Sequence, residues 1–97
     1  MIFVINNLKY NTDKMELVST KCKYSYHSEL LGVPIHYLAK NVQIFKSLKN
    51  HWLLAYKTDY ENCAKALSEE EAKNFLMQYD LESYEKYFGE FGGSVND

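Results

Sequence analysis

The sequence has no arginine: all eleven of its basic residues are lysines. Arginine supplies the planar fork that reads guanine edges and grips phosphate or carboxylate through paired hydrogen bonds. Without it, sequence-specific reading of nucleic acid is disfavoured, and nonspecific lysine attraction to phosphate is what remains. Cysteine is also scarce. Cys22 and Cys63 stand far apart with no C-x-x-C pair, so neither a zinc ribbon nor a thioredoxin-like site is signalled. Two buried free thiols are expected. No apolar run approaches the roughly 20 residues of a membrane helix; the longest are Met1–Ile5 and Trp52–Tyr56. The start has neither the basic residues nor the apolar core of a signal peptide. A soluble, cytoplasmic protein is expected, with no membrane partner. Neither G-x-x-x-x-G-K-[ST] nor G-x-G-x-x-G occurs, and Gly89, Gly92 and Gly93 follow a helical pattern rather than precede one. Phosphate binding by a glycine loop at a helix start is therefore disfavoured.

What is present fits one small domain. The chain has 97 residues, 46% hydrophobic, 25% charged and 15% aromatic, which is ordinary globular composition. The charge layout is less ordinary. Residues 1–58 carry eight lysines against Asp13, Glu16 and Glu29, whereas residues 59–97 carry three lysines against ten carboxylates. The net charge of −2 thus hides a basic half and an acidic half, a statement about surfaces and partners rather than fold.

The residue pattern divides at the same place. Ile2–Ile5 and Leu8–Tyr10 flank Asn6-Asn7, a pair that tolerates the left-handed backbone of a tight hairpin. Met15–Thr20 and Cys22–Tyr26 read as one strand or two linked strands, the second segment from its period of two. Residues 27–35 read as irregular, with Gly32 and Pro34 marking a loop or bend, and a strand opens near His36–Ala39. Val42–Leu48 and Trp52–Lys57 form the clearest hairpin, turning at Lys49-Asn50. Residues 58–66 read as a connecting loop, with one helical turn near Cys63–Lys65. Ser68-Glu69-Glu70-Glu71 is then a capping box, followed by Ala72, Phe75, Leu76 and Tyr79 at helical spacing. Asp80 caps a second helix with an apolar face of Leu81, Tyr84 and Phe88, stopped by Gly89. The expected fold is α+β: an antiparallel sheet of about four or five strands, mostly from residues 2–57, packed on one face by two C-terminal helices. Residues 1–91 form the domain and 92–97 a flexible tail. A core this small makes a homodimer an expectation.

Three segments also carry a resemblance. Leu8-Lys9-Tyr10-Asn11-Thr12-Asp13 resembles a "G-K-x-Y-[DN]-T" opening. Ile44 through Leu54 resembles an "L-Y-x-T-K-K-G-x-W-F-L" hairpin. Leu67 through Ala72, then Glu82 through Gly89, resembles an "L-S-E-E-E-A … E-x-Y-E-K-Y-F" ending. Together they are similar to a group of small bacterial proteins of unassigned function carried on phages and other mobile elements. The resemblance implies a sheet-plus-helices module and no particular activity.

Few residues in the chain are suited to catalysis. His27, His36 and His51 are the candidate general bases, and Cys22 or Cys63 beside one of them would make a thiol pair. No spacing specifies a nucleophile, a cofactor or a metal, and none is expected. The expected function is instead non-enzymatic protein binding. Glu69, Glu70, Glu71, Glu82 and Glu85, with Tyr79, Tyr84 and Tyr87 as aromatic anchors, would form an acidic helical surface. Such a surface suits the basic groove of a host nucleic-acid-binding protein, and its sharpest form is an anti-CRISPR-like inhibitor of a host defence nuclease. The alternative is a single-stranded nucleic-acid-binding module, with Lys21, Lys23, Lys46 and Lys49 beside Tyr24, Tyr26, Phe45 and Trp52.

Overall fold

A computed structural model describes residues 1–93 and Val95. Its chain order is β1 (Ile2–Ile5), β2 (Leu8–Asn11), a 3-10 turn, β3 (Glu16–Ser19), β4 (Ser25–Leu30), β5 (Val33–Leu38), β6 (Lys40–Lys46), β7 (Trp52–Lys57), β8 (Asn62–Leu67), α1 (Glu69–Tyr79) and α2 (Leu81–Phe88). The fold is α+β, with the strands in antiparallel sheets and both helices packed on the largest of them. That sheet has four strands in the order β3-β6-β7-β8.

Strand β7 shows why the sheet needs cover on both sides. Trp52, Leu53, Leu54 and Ala55 are all buried. Successive side chains point to opposite faces. Trp52 and Leu54 join Ile44, Val42, Ala72 and Leu76 under the helices. Leu53 and Ala55 join Phe45 and Tyr10 on the opposite face, where Phe3 and Ile5 pack against them. The β1–β2 hairpin is thus a separate two-stranded sheet that covers the rear face. Its turn is Asn6-Asn7, with φ of 51° and 63°, as asparagine permits.

The helices begin where side chains satisfy the free amides. Ser68 Oγ accepts from the Glu71 N–H at 3.1 Å, and Glu71 Oε1 accepts from the Ser68 N–H at 3.0 Å. Asp80 ends α1 and starts α2, accepting from the Ser83 N–H at 3.2 Å. Its other carboxylate oxygen receives the Ser19 hydroxyl at 2.7 Å and lies 2.7 Å from Ser83 Oγ. One buried carboxylate therefore fixes the bend between the helices and ties it to the end of β3. Burial opposes ionisation of Asp80, but the bonds from Ser19 and Ser83, with Lys21 nearby, outweigh it and hold its pKa below the usual value.

Five expectations need correction. Residues 27–35 are not irregular: they lie within a regular hairpin, β4–β5, whose Leu31-Gly32 turn has φ of 53° and 79°. Pro34 sits inside β5, tolerated because that strand has a free edge. Residues 58–66 are not simply a loop, because Asn62–Leu67 is strand β8 along β7. The strand expected over Cys22–Tyr26 starts only at Ser25. Leu81 is 53% exposed and stands off the apolar face of α2. The sheet also extends past residue 57 through β8, while β1 and β2 lie outside it. Of the tail, Gly92, Gly93 and Val95 are exposed; Ser94, Asn96 and Asp97 lie outside the described residues.

Candidate interaction surfaces

The most unusual surface is the β4–β5 hairpin, an arm paired with no other strand among the described residues. Its root is aromatic. Tyr26 stacks on Tyr56 of β7 at 5.9 Å between centroids and on Tyr37 across the arm at 5.4 Å, while Tyr24 meets Tyr56 at 4.9 Å. Beyond the root the side chains leave the core. Leu30, Leu31, Val33 and Leu38 are 61%, 96%, 60% and 65% exposed. Pairing puts Tyr26, Tyr37, Ser28, Ile35, Leu30 and Val33 on one face, and His27, His36, Glu29 and Pro34 on the other. From Ser25 to Leu38 the only carboxylate is Glu29, and there is no lysine. The arm is a nearly uncharged, apolar ribbon in solvent. Residues with this composition normally lie inside or against a partner.

The helix layer presents a mixed surface. Glu69, Glu70, Glu82 and Glu85 are exposed. Glu71 is occupied: it closes the capping box, and its other oxygen lies 3.5 Å from Lys65 Nζ. The bond from the Ser68 amide holds the Glu71 carboxyl below its ordinary pKa, and Lys65 adds to this. The aromatic residues turn inward. Tyr79, Tyr84 and Tyr87 pack half-buried against the cluster beneath the helices. Tyr87 donates its hydroxyl to Glu16 of β3; burial first, and then that carboxylate, push its pKa up to about 12. Lysines are interleaved with the acids, Lys73 lying over the Phe88 ring at 5.2 Å and Lys86 over Tyr87 at 5.4 Å. The structure thus brings the expected residues onto one layer, with the carboxylates outside and the tyrosines inside.

The titratable residues go to separate places. Cys22 is buried beside Ser19 Oγ and the Phe75 carbonyl, each 3.8 Å away. Burial pushes its thiol pKa up, with Asp80 adding to the effect and the Ser19 bond opposing it. Burial and Glu61 raise that of Cys63 as well. Thiols held protonated in this way are poor nucleophiles. His27 and His36 face each other across the arm at 5.9 Å, and His51 meets Tyr10 edge-on at 6.3 Å. Among the described residues no three histidine, cysteine, aspartate or glutamate side chains cluster as metal ligands would.

The lysine-bearing strands do not display the aromatics that base stacking needs. Phe45 and Trp52 are buried in opposite clusters, and Tyr24 and Tyr26 pack toward the helix side. A separate groove of ≈ 480 Å³ lies between β2 and the β6–β7 turn, lined by Lys9, Lys14, Lys49, His51, Leu8 and Leu48, among others. Among the described residues no helix is long and apolar enough to cross a membrane. Comparison with protein-family models, curated proteins and solved structures gives no match to this chain.

Proposed function

We propose that this chain is a non-enzymatic protein-binding module whose β4–β5 arm is a contact surface. The observation that carries this reading is the arm itself. It places large apolar side chains in water, almost without charge, on a hairpin that no other strand supports. An isolated two-stranded ribbon is marginally stable in water, and burying its leucines contributes about 25 cal/mol per Å² of apolar surface covered. Nucleic acid would gain little from this ribbon, because phosphate recognition needs cations and the arm has no lysine. A protein partner gains from both its apolar face and its free backbone.

A second contact is favoured by the outward carboxylates of Glu69, Glu70, Glu82 and Glu85. They support binding to a basic protein surface, for which inhibition of a host defence nuclease is the concrete version. Immobilised protein and host lysate separate the two surfaces, with captured proteins identified by mass spectrometry. Loss of a captured protein in the Leu30→Lys, Val33→Lys double variant assigns it to the arm. Loss with Glu69→Lys, Glu70→Lys, Glu82→Lys and Glu85→Lys together assigns it to the helices. Capture unchanged by either set overturns both assignments.

A further inference from the structure

The hydrogen-bond phase of the arm shows which of its edges is open. The Ala39 N–H donates to the Tyr24 carbonyl at 2.8 Å, one step below the first pair of the arm, Ser25 with Leu38. Bonded and non-bonded pairs alternate in an antiparallel ladder. Tyr26–Tyr37, Ser28–Ile35 and Leu30–Val33 are therefore the bonded pairs. Ser25–Leu38, His27–His36 and Glu29–Pro34 turn their backbone groups outward. On β5 that outward row contains Pro34, which has no N–H to give. On β4 it is Ser25, His27 and Glu29, each with a donor and an acceptor and no neighbouring strand.

We propose that the β4 edge pairs antiparallel with the β4 edge of a second copy of this chain, about a two-fold axis at His27. The inference deepens the reading of the arm as a protein-contact surface and rests on it. Centring on His27 lets every outward residue of β4 meet another: His27 faces the partner's His27, and Ser25 faces the partner's Glu29. Sliding the register to either side leaves outward groups opposite the turn or the linker. The centred register forms about six backbone hydrogen bonds. It also suits the charge, because Glu29, the arm's one carboxylate, faces a serine rather than its own copy. Leu30 is carried to the level of the partner's Tyr24, toward the aromatic root. The product is a four-stranded sheet, β5-β4-β4-β5, with a proline on each outer edge. Pairing through one edge closes at two copies, and Pro34 interrupts further growth.

The interface is small. Two six-residue strands and a two-residue turn fall short of the roughly 20–30 residues per side of a standard interface. A dissociation constant of about 10–100 µM is expected. Sedimentation of the full chain from about 1 to 500 µM tests this: a reversible monomer–dimer equilibrium supports the pairing, and a monomer throughout overturns it. Register is tested by cysteine placement in a Cys63→Ser background. His27→Cys should cross-link under mild oxidation, since directly bonded pairs hold their Cα atoms about 5.5 Å apart, within disulfide range. Glu29→Cys should not, because its own copy is displaced along the strand. A dimer that links through position 29 and not through 27, or through neither, overturns the register. His27→Lys opposes two ammonium groups and should weaken association at least about tenfold, with an unchanged circular dichroism spectrum. An unaffected dimer also overturns it. The lysate capture remains a separate test: a monomeric protein that loses capture on Leu30→Lys, Val33→Lys keeps the contact surface and removes the self-pairing.

Discussion

Leu54 in the body and Leu30 in the arm are both strand leucines, yet the first is fully buried and the second is 61% exposed. The difference lies in what surrounds each strand. β7 has strands on both sides, helices over one face and the β1–β2 hairpin over the other. β4 has one neighbour and, beyond Tyr26, little covering either face. The body is held by burial that a chain this short concentrates in one strand, whereas the arm is held mainly by its own ladder and an aromatic root. Apolar content alone therefore does not decide what a residue contributes; the number of layers around it does.

Truncation should expose that contrast most strongly. Leu54→Ala leaves a cavity between sheet and helices and is expected to cost about 3–5 kcal/mol. Leu30→Ala removes a side chain already in water and should change monomer stability by less than about 0.5 kcal/mol. Urea unfolding of both variants at dilute, monomeric concentration measures this. Equal costs would mean that the arm folds as part of the core.

The body was legible in the sequence because its signals agreed with one another. Alternation in Val42–Leu48, the aromatic and aliphatic run of Trp52–Lys57, the Ser68 capping box, and the Ala72–Leu76 stripe all pointed to a sheet under helices, which is the fold found. The arm was not legible for a physical reason. Periodicity reports a face turned toward a core, and the arm meets the core only at its root. Its two faces carry mixtures such as Ser28 with Ile35 and Glu29 with Pro34, so no alternation survives. Pro34 then argued against a strand, although an outward-facing edge position accepts it. β8 was missed differently: Asn62-Cys63-Ala64-Lys65-Ala66-Leu67 has no β-branched residue, and pairing with β7 overrides that weak propensity. For the surfaces, sequence spacing placed Glu69, Glu70, Glu82 and Glu85 on the helices. It could not show that Tyr87 reaches Glu16, a contact across 71 positions.

A second way to sharpen the comparison is to weaken the joint that completes the body. Asp80→Asn keeps the shape and removes the charge that accepts from Ser19 and Ser83. A loss of about 1–3 kcal/mol at neutral pH is expected for hydrogen bonds to a charged, buried acceptor. The pH dependence has a definite sign. The pKa of Asp80 is lower folded than unfolded, so its contribution is fully present above the unfolded value of about 3.9 and disappears as pH falls through the folded one. The gap between wild type and Asp80→Asn should therefore narrow on acidification below about pH 4. A gap that is constant down to pH 2 would mean that the charge contributes nothing beyond what the amide supplies.

The smallest global effect belongs to the arm's turn, and its value lies in being local. Gly32 has φ of +79° with no atom within 4 Å of where a Cβ would stand. Gly32→Ala therefore meets no steric neighbour and is strained only through its backbone, by about 1 kcal/mol. If the arm opens independently of the body, that strain lowers the opening free energy of the arm alone. Amide exchange between Ser25 and Leu38 should then accelerate about fivefold, while Ile44, Leu54 and Leu76 exchange as before and the urea midpoint does not move. A midpoint that falls by the full strain, with all amides faster together, would instead make arm and body one cooperative unit, because strain in a turn moves the midpoint of the core's transition only when that turn melts with the core.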